Sequence, residues 1–241
     1  MIVVLIPSAF EAKDFIAQLE GRTKWPVPKT ACVAGKIDRE EILIAVIGMG
    51  PPHAPLRAKA ALDEARARSA TPLRGVILMG FAGALHPSLK RGDIFITAGA
   101  EHLLPLLPEN ERPAVALLHT ADTLVATAAA KADLHARTGA WLVDMEQAHL
   151  APIMAAAGLP LVGVRLVSDE AHEELPHDLL RHAYDQEEGE NTPLRLAGHL
   201  TRHPFKVTRL ASFVRPLPRL RNHMSHRLHT WLKLTGPRLF R

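Results

Sequence analysis

Short runs of β-branched and aliphatic residues recur along the chain, and segments of helical period separate them. The apolar runs stand at 2–6, 30–35, 42–48, 75–79, 93–98, 115–118, 140–143 and 160–167. Most end at Gly, Pro or polar residues, as buried strands do. Helical period marks 8–20, 53–69, 127–138, 146–157, 175–185, 193–201 and 219–234. This alternation constrains the chain to an α/β fold, a layered α/β/α sandwich with helices on both faces of a sheet. With 241 residues, 47% of them hydrophobic, there is enough chain for a large core; at 5% aromatic, that core must be mainly aliphatic.

The remaining segments divide the chain. Residues 100–113 carry three prolines and no clear period, and they read as a loop or lid. Residues 201–241 hold ten of the 29 Lys and Arg and none of the 25 acids, so the first 200 residues balance 19 basic against 25 acidic side chains. The sequence therefore predicts a main domain over 1–200 and a basic helical tail over 201–241. The acidic sign of the main domain argues against nucleic acid as its partner. In the tail, Leu220, Met224, Leu228, Trp231 and Leu232 share one helical face and the basic residues surround it. Such a helix packs its apolar face on the domain or on a second subunit, or lies on an anionic membrane surface.

A single cysteine, Cys32, excludes an internal disulfide framework and a cysteine metal cluster, so no metal site is expected and a cytoplasmic setting is the default. The start, MIVVLIPSAFEAKDF, lacks the basic opening of a signal peptide and suits a buried first strand. No run reaches the ~18 apolar residues of a spanning helix.

Three strand ends carry chemistry. In Val76-Ile-Leu-Met-Gly80-Phe81-Ala82-Gly83 a buried strand runs into a Gly-x-x-Gly loop, with Gly92-Asp93 downstream. In Val143-Asp144-Met145-Glu146 two carboxylates lie two apart where a helix begins. In Val164-Arg165-Leu-Val-Ser168-Asp169 another strand ends in Ser-Asp, at the edge where open α/β sheets place ligands. Each has a plain alternative, since Ser-Asp after a strand also caps helices and acids favour helix N-termini. Gly48 and Gly50 form a tight strand-to-helix turn that lacks the third glycine of a dinucleotide fingerprint.

In this order, the three motifs resemble those of the nucleoside phosphorylase and nucleosidase superfamily, which includes purine nucleoside phosphorylases, methylthioadenosine/adenosylhomocysteine nucleosidases and futalosine hydrolases. The resemblance covers about residues 1–185. Thr127-Ala-Ala-Ala-Lys131, running on to Thr138-Gly139-Ala140, is most similar to the hopanoid-associated phosphorylase branch, which acts on adenosylhopane. The resemblance implies a central mixed, partly barrel-like sheet, no cofactor, a homodimer or hexamer, and cleavage of a purine nucleoside, with adenine the favoured base. A lipid-linked substrate would suit a tail touching the inner membrane surface.

It also implies roles. Asp169 matches the acid beside purine N7, and burial would be needed to keep a proton on it near neutral pH. Glu146 matches the ribose-binding glutamate, with Met145 against the sugar. Glu11 matches the base that activates water. Asp144, Ser168, Arg165 and the backbone of Gly48, Gly50, Gly80, Phe81, Ala82 and Gly83 fall in the substrate-binding segments. Leu124 stands where nucleosidases stack an aromatic on the base. Phosphorylases place Ser or Thr at Phe81 and, in the hexameric class, Arg at Leu78, to hold phosphate. With both replaced and Glu11 nearby, water is favoured over phosphate as nucleophile. Phosphate remains the alternative co-substrate, with Arg165, His53 or a partner subunit supplying its charge. The alternative of another class is a nucleoside-binding or membrane-associated protein without catalysis.

Overall fold

The computed structural model describes residues 1–97, 99–176, 178, 184–185, 190–191 and 206–240. The buried strand expected at the start is β1 (Ile2–Ile6), and its five side chains are all enclosed. Helix α1 (Ala9–Ala17) follows, with Ser8 as its N-cap. Then come β2 (Glu20–Val27), β3 (Thr30–Ile37), β4 (Glu40–Val46) and α2 (Ala54–Arg68). The second half contains β5 (Gly75–Ala84), β6 (Ile94–Thr97), β7 (Ala114–Ala116), β8 (Leu118–Thr120), α3 (Ala128–Thr138), β9 (Leu142–Asp144), α4 (Gln147–Ala156) and β10 (Leu161–Asp169). After a short ribbon of β11 (Tyr184–Asp185) and β12 (Glu190–Asn191) come α5 (Lys206–Val214), α6 (Leu217–Thr235) and a 3-10 turn (Gly236–Phe240).

The main sheet runs β2-β3-β4-β1-β5-β10-β6-β7, and β9 branches from β5 to carry β8. Strands β4, β1, β5 and β10 are mutually parallel, whereas β2–β3, β3–β4, β10–β6 and β5–β9 are antiparallel. The parallel centre is buried on both faces, which explains its long apolar runs, interrupted in β10 by Arg165. Beyond it, β5, β6, β7, β9 and β10 share a small cluster of Ala82, Ala84, Phe95, Ala116, Leu142 and Val167. The fold is thus a mixed sheet flanked by helices, as the sequence pattern requires.

Several boundaries differ from the sequence reading. Strand β2 was not expected, because EGRTKWPV is almost wholly exposed and contains Pro26. It is an edge strand, where a polar sequence and a proline are tolerated. The Gly-x-x-Gly segment is not a loop: β5 continues through it to Ala84, pairing with β10. Ser168-Asp169 likewise is no helix cap but the end of β10, with a bulge between Val167 and Asp169. The expected strand 115–118 divides into β7 and β8. The helix expected over 193–201 and most of that over 175–185 lie outside the described residues, although Tyr184–Asp185 form a strand pair.

Residues 100–113 do not form a lid. They make two 3-10 turns whose Leu103 and Leu107 enter the main core, beside α6. Helix α6 sends Met224, Leu228, Trp231 and Leu232 into that same core, each less than 5% exposed. Two of its arginines meet acids from earlier in the chain: Arg221 Nε lies 2.8 Å from Asp14 Oδ2 and Arg227 Nη1 lies 2.5 Å from Glu111 Oε2, while Trp231 Nε1 donates to the Glu111 carbonyl at 3.0 Å. The charge asymmetry between body and tail is therefore partly complementarity within the chain. The apolar face that a membrane contact would use is covered by the domain. No helix among the described residues is long and apolar enough to cross a membrane. Leu228→Ala should lower the unfolding free energy by about 2–5 kcal/mol in urea denaturation, as truncations in packed cores do. A loss below about 1 kcal/mol, the scale of surface substitutions, would mean that α6 is not docked in solution.

Candidate active site

The C-terminal ends of β5, β9 and β10 open onto a cavity of about 400 Å³, within the size range of small-molecule sites. Glu11, Glu146 and Asp169 all line it, although 158 positions separate the first from the last. Topology explains the convergence. β1 and β10 flank β5 in parallel, so the chain after β1, the end of β5 and the end of β10 share one edge. β9 pairs with Gly83 and Ala84 and delivers Asp144, Met145 and Glu146 to the same place.

Glu11 lies in the first turn of α1. Ser8 Oγ donates to its Oε2 at 2.5 Å, and the Phe81 N–H donates to its Oε1 at 2.8 Å. Burial pushes its pKa up; the two hydrogen bonds and the charge of Arg165 oppose that shift. Glu146 receives the Gly50 N–H at 3.0 Å. Gly48 and Gly50 have φ of 83° and 74°, a left-handed turn that suits glycine and aims this N–H at the carboxylate. Burial raises the Glu146 pKa to about 7, with Arg165 pulling down and Asp144 and Glu11 adding to the rise.

Arg165 is the counter-charge beneath these acids. It has no exposed surface, pairs with Asp144 through Nη2, and lies 3.9 Å from Glu146 Oε2. It does not line the cavity, although it was expected among the substrate-binding groups. Gly80 is also behind the wall: a Cβ there would lie 2.8 Å from Arg165 Nη1 and 3.1 Å from Glu11 Oε1. Its lack of a side chain lets the arginine and the acid approach each other. Gly48 shapes the turn without facing the cavity. Asp144 reaches the cavity edge, but its oxygens already have partners. Oδ1 accepts from Thr120 Oγ1 at 2.6 Å, and Oδ2 accepts from the Gln147 N–H at 3.0 Å and pairs with Arg165. It holds the first N–H of α4 and anchors the arginine.

Asp169, only 3% exposed, has Ser168 Oγ 2.6 Å from Oδ1 and Lys131 Nζ 2.5 Å from Oδ2. The sequence reading expected burial alone to keep a proton on it; a buried lysine stands beside it instead. Phe81, Ala82, Gly83, Leu124, Met145 and Ser168 line the cavity, as does Gly50. A Cβ on Gly83 would come within 3.2 Å of Asp169 Oδ2. Sequence reasoning gave no role to Lys131, Ser8, Thr120, Phe10, Phe213 or Leu217. The last three add an apolar wall in which the tail itself takes part. A lysine on an otherwise ordinary helix gives no sign of what it faces, and only its place in the motif quoted above set it apart. Among the described residues no group of His, Cys, Asp and Glu is arranged to hold a metal.

This architecture recurs in solved structures. A futalosine hydrolase mutant of Helicobacter pylori superposes with a TM-score of 0.71 at 15% identity, over 96% of this chain and 98% of that one. A Campylobacter jejuni 5′-methylthioadenosine/S-adenosylhomocysteine nucleosidase gives 0.70 at 16%, over 96% and 98%. A Streptococcus pyogenes S-adenosylhomocysteine nucleosidase gives 0.70 at 18%, over 96% and 95%. No curated protein matches the chain. The family model of the phosphorylase superfamily matches residues 1–107 and 106–198, which with the fold and the order of the motifs makes this chain a member of the phosphorylase superfamily.

Proposed function

We propose that the protein cleaves the N-glycosidic bond of a purine nucleoside, with water as the nucleophile. The observation that carries the choice of water is the bond from the Phe81 N–H to Glu11. A phosphate held by this segment would need its backbone donor and would meet the Glu11 carboxylate. Arg165, the charge that could offset this, lies behind the wall and is already paired with Asp144. Water has no such conflict, and Glu11 is placed to take its proton.

The other two acids suit the other ends of the bond. Glu146 as carboxylate accepts ribose hydroxyls and stabilises the positive charge that develops on the sugar. Asp169, across the cavity, meets the imidazole edge of the purine and assists its departure. Met145 packs on the sugar and Leu124 on the base. The finer reading is adenine on a sugar whose 5′ position carries an apolar group, hopane being one case, since Phe10, Phe213 and Leu217 supply an apolar wall. The presence of four buried carboxylates around one cavity, Glu11, Asp144, Glu146 and Asp169, favours catalysis over simple binding, because buried acids are costly to keep without a use.

The test is release of free adenine from adenosine, 5′-methylthioadenosine and S-adenosylhomocysteine, followed by chromatography with and without phosphate. Adenine should appear at equal rates in both, with free sugar as the second product. A strict phosphate requirement with a sugar 1-phosphate product would replace water by phosphate. Binding of adenine without turnover of any nucleoside would favour a non-catalytic protein.

A further inference from the structure

Lys131 sits on α3 with no exposed surface, yet it is a charged residue in a place an apolar side chain could fill. Its Nζ lies 2.5 Å from Asp169 Oδ2, 2.9 Å from the Glu170 carbonyl and 3.0 Å from the Glu173 carbonyl. All three ammonium hydrogens thus have acceptors. Enclosing a lysine carries a heavy desolvation cost, and an apolar neighbour would hold α3 against β10 without it. The bond to Asp169 is what distinguishes this arrangement from simple packing, because the same aspartate faces the cavity.

We propose that Lys131 is a positioning residue for the cleavage: its ammonium holds the Asp169 carboxylate toward the cavity and passes a proton through it to the departing purine. The inference rests on the reading of Asp169 as the group that meets the purine. As the bond from the sugar C1′ to the purine N9 breaks, its electron pair moves onto the base and N7 becomes basic. The Asp169 carboxyl gives a proton to N7 and takes one from Lys131 Nζ. The aspartate ends as the carboxylate it was, Lys131 as a neutral amine and the purine as a neutral base. Water adds to C1′ and its proton passes to Glu11. Solvent entering after the purine leaves returns a proton to Lys131 by way of Asp169 and removes one from Glu11.

The other charges nearby have their own partners. Glu170 and Glu173, on the segment after β10, turn their carboxylates to Lys90 at 3.1 Å and Arg91 at 2.7 Å. On α3, His135 bonds to the Ala140 carbonyl at 2.7 Å. Around the cavity, Asp144 and Glu146 face Arg165, Glu11 bonds to Ser8 and Phe81, and Asp122 Oδ1 lies 3.1 Å from His149 Nε2. Within this contact the ammonium is the proton source, and a lone carboxylate in the same place has no proton to pass on.

The test compares Lys131→Met, Lys131→Arg and Asp169→Asn from acid to alkaline pH. One substrate is the nucleoside cleaved fastest by the unaltered protein. The other is 4-nitrophenyl β-D-ribofuranoside, whose leaving group departs without a proton. Lys131→Met should lower kcat on the nucleoside by about 10²-fold, the scale of general-acid assistance, and move the alkaline fall of activity toward neutral pH. The nitrophenyl riboside should be cleaved at nearly the original rate. Lys131→Arg, with its retained charge, should leave KM unchanged but not restore alkaline activity, since a guanidinium does not release a proton. Equal losses on both substrates with an unshifted pH profile would reduce Lys131 to a structural residue. Full alkaline activity in Lys131→Arg would overturn proton passage even if Lys131→Met does not fold. Full activity of Asp169→Asn on the nucleoside would instead remove the underlying reading of Asp169.

Discussion

Glu11→Gln is expected to lower kcat for purine release by about 10²–10⁴-fold, the usual worth of a general base, while KM changes little. The amide keeps the shape of the side chain and can still accept from the Phe81 N–H, now 2.8 Å from Oε1. It cannot take a proton from water. The pH profile supplies a second sign. Burial raises the pKa of Glu11, and that of Glu146 is raised to about 7. Both act as carboxylates in the proposed reaction, so kcat/KM should climb as pH rises through this region. In Glu11→Gln one of the two dependences disappears, and the residual activity should follow a single ionisation near that of Glu146. Steady-state kinetics across pH checks both points; a variant within tenfold of the original at every pH would remove Glu11 from the chemistry.

Arg165→Met should produce the largest change in stability, a loss of about 3–5 kcal/mol at mildly alkaline pH, as found when one partner of a buried ion pair is removed. The methionine fills much of the space but leaves Asp144 without its cation and Glu146 and Glu11 without their positive neighbour. The sign with pH follows from the raised carboxyls. An acid whose folded pKa lies above its unfolded value stabilises the fold in acid, and that contribution fades as pH rises through the folded value. Without Arg165 the two glutamates would be raised further, so the variant should be weakest in alkali and recover toward mildly acid pH. Urea denaturation at two pH values measures this. A deficit independent of pH would assign the loss to packing rather than charge.

The layered α/β class was legible in the alternation of apolar runs and helical segments, because parallel strands buried on both faces are mostly apolar. The cavity residues Glu11, Glu146 and Asp169 were legible for a different reason: each matches a position in motifs that resemble a known family, and each follows or ends a strand whose end opens on the cavity. Edge strand β2 was not legible, since an exposed strand has no need of an apolar pattern. The continuation of β5 through Gly80–Gly83 was missed because glycines there read as a turn. Their observed role is to make room for Arg165, Glu11 and Asp169.

What the linear chain determined by itself was local: which segments extend, which coil, and which strand ends carry acids. Tertiary packing alone decided what each charge faces. It set Lys131 beside Asp169 across 38 positions, placed Arg165 behind the cavity wall, and turned the basic helix inward so that Trp231 meets the loop at Glu111. Local period records whether a side chain points in or out. The partner that makes an inward charge tolerable comes from a distant part of the chain, and only the folded contact names it.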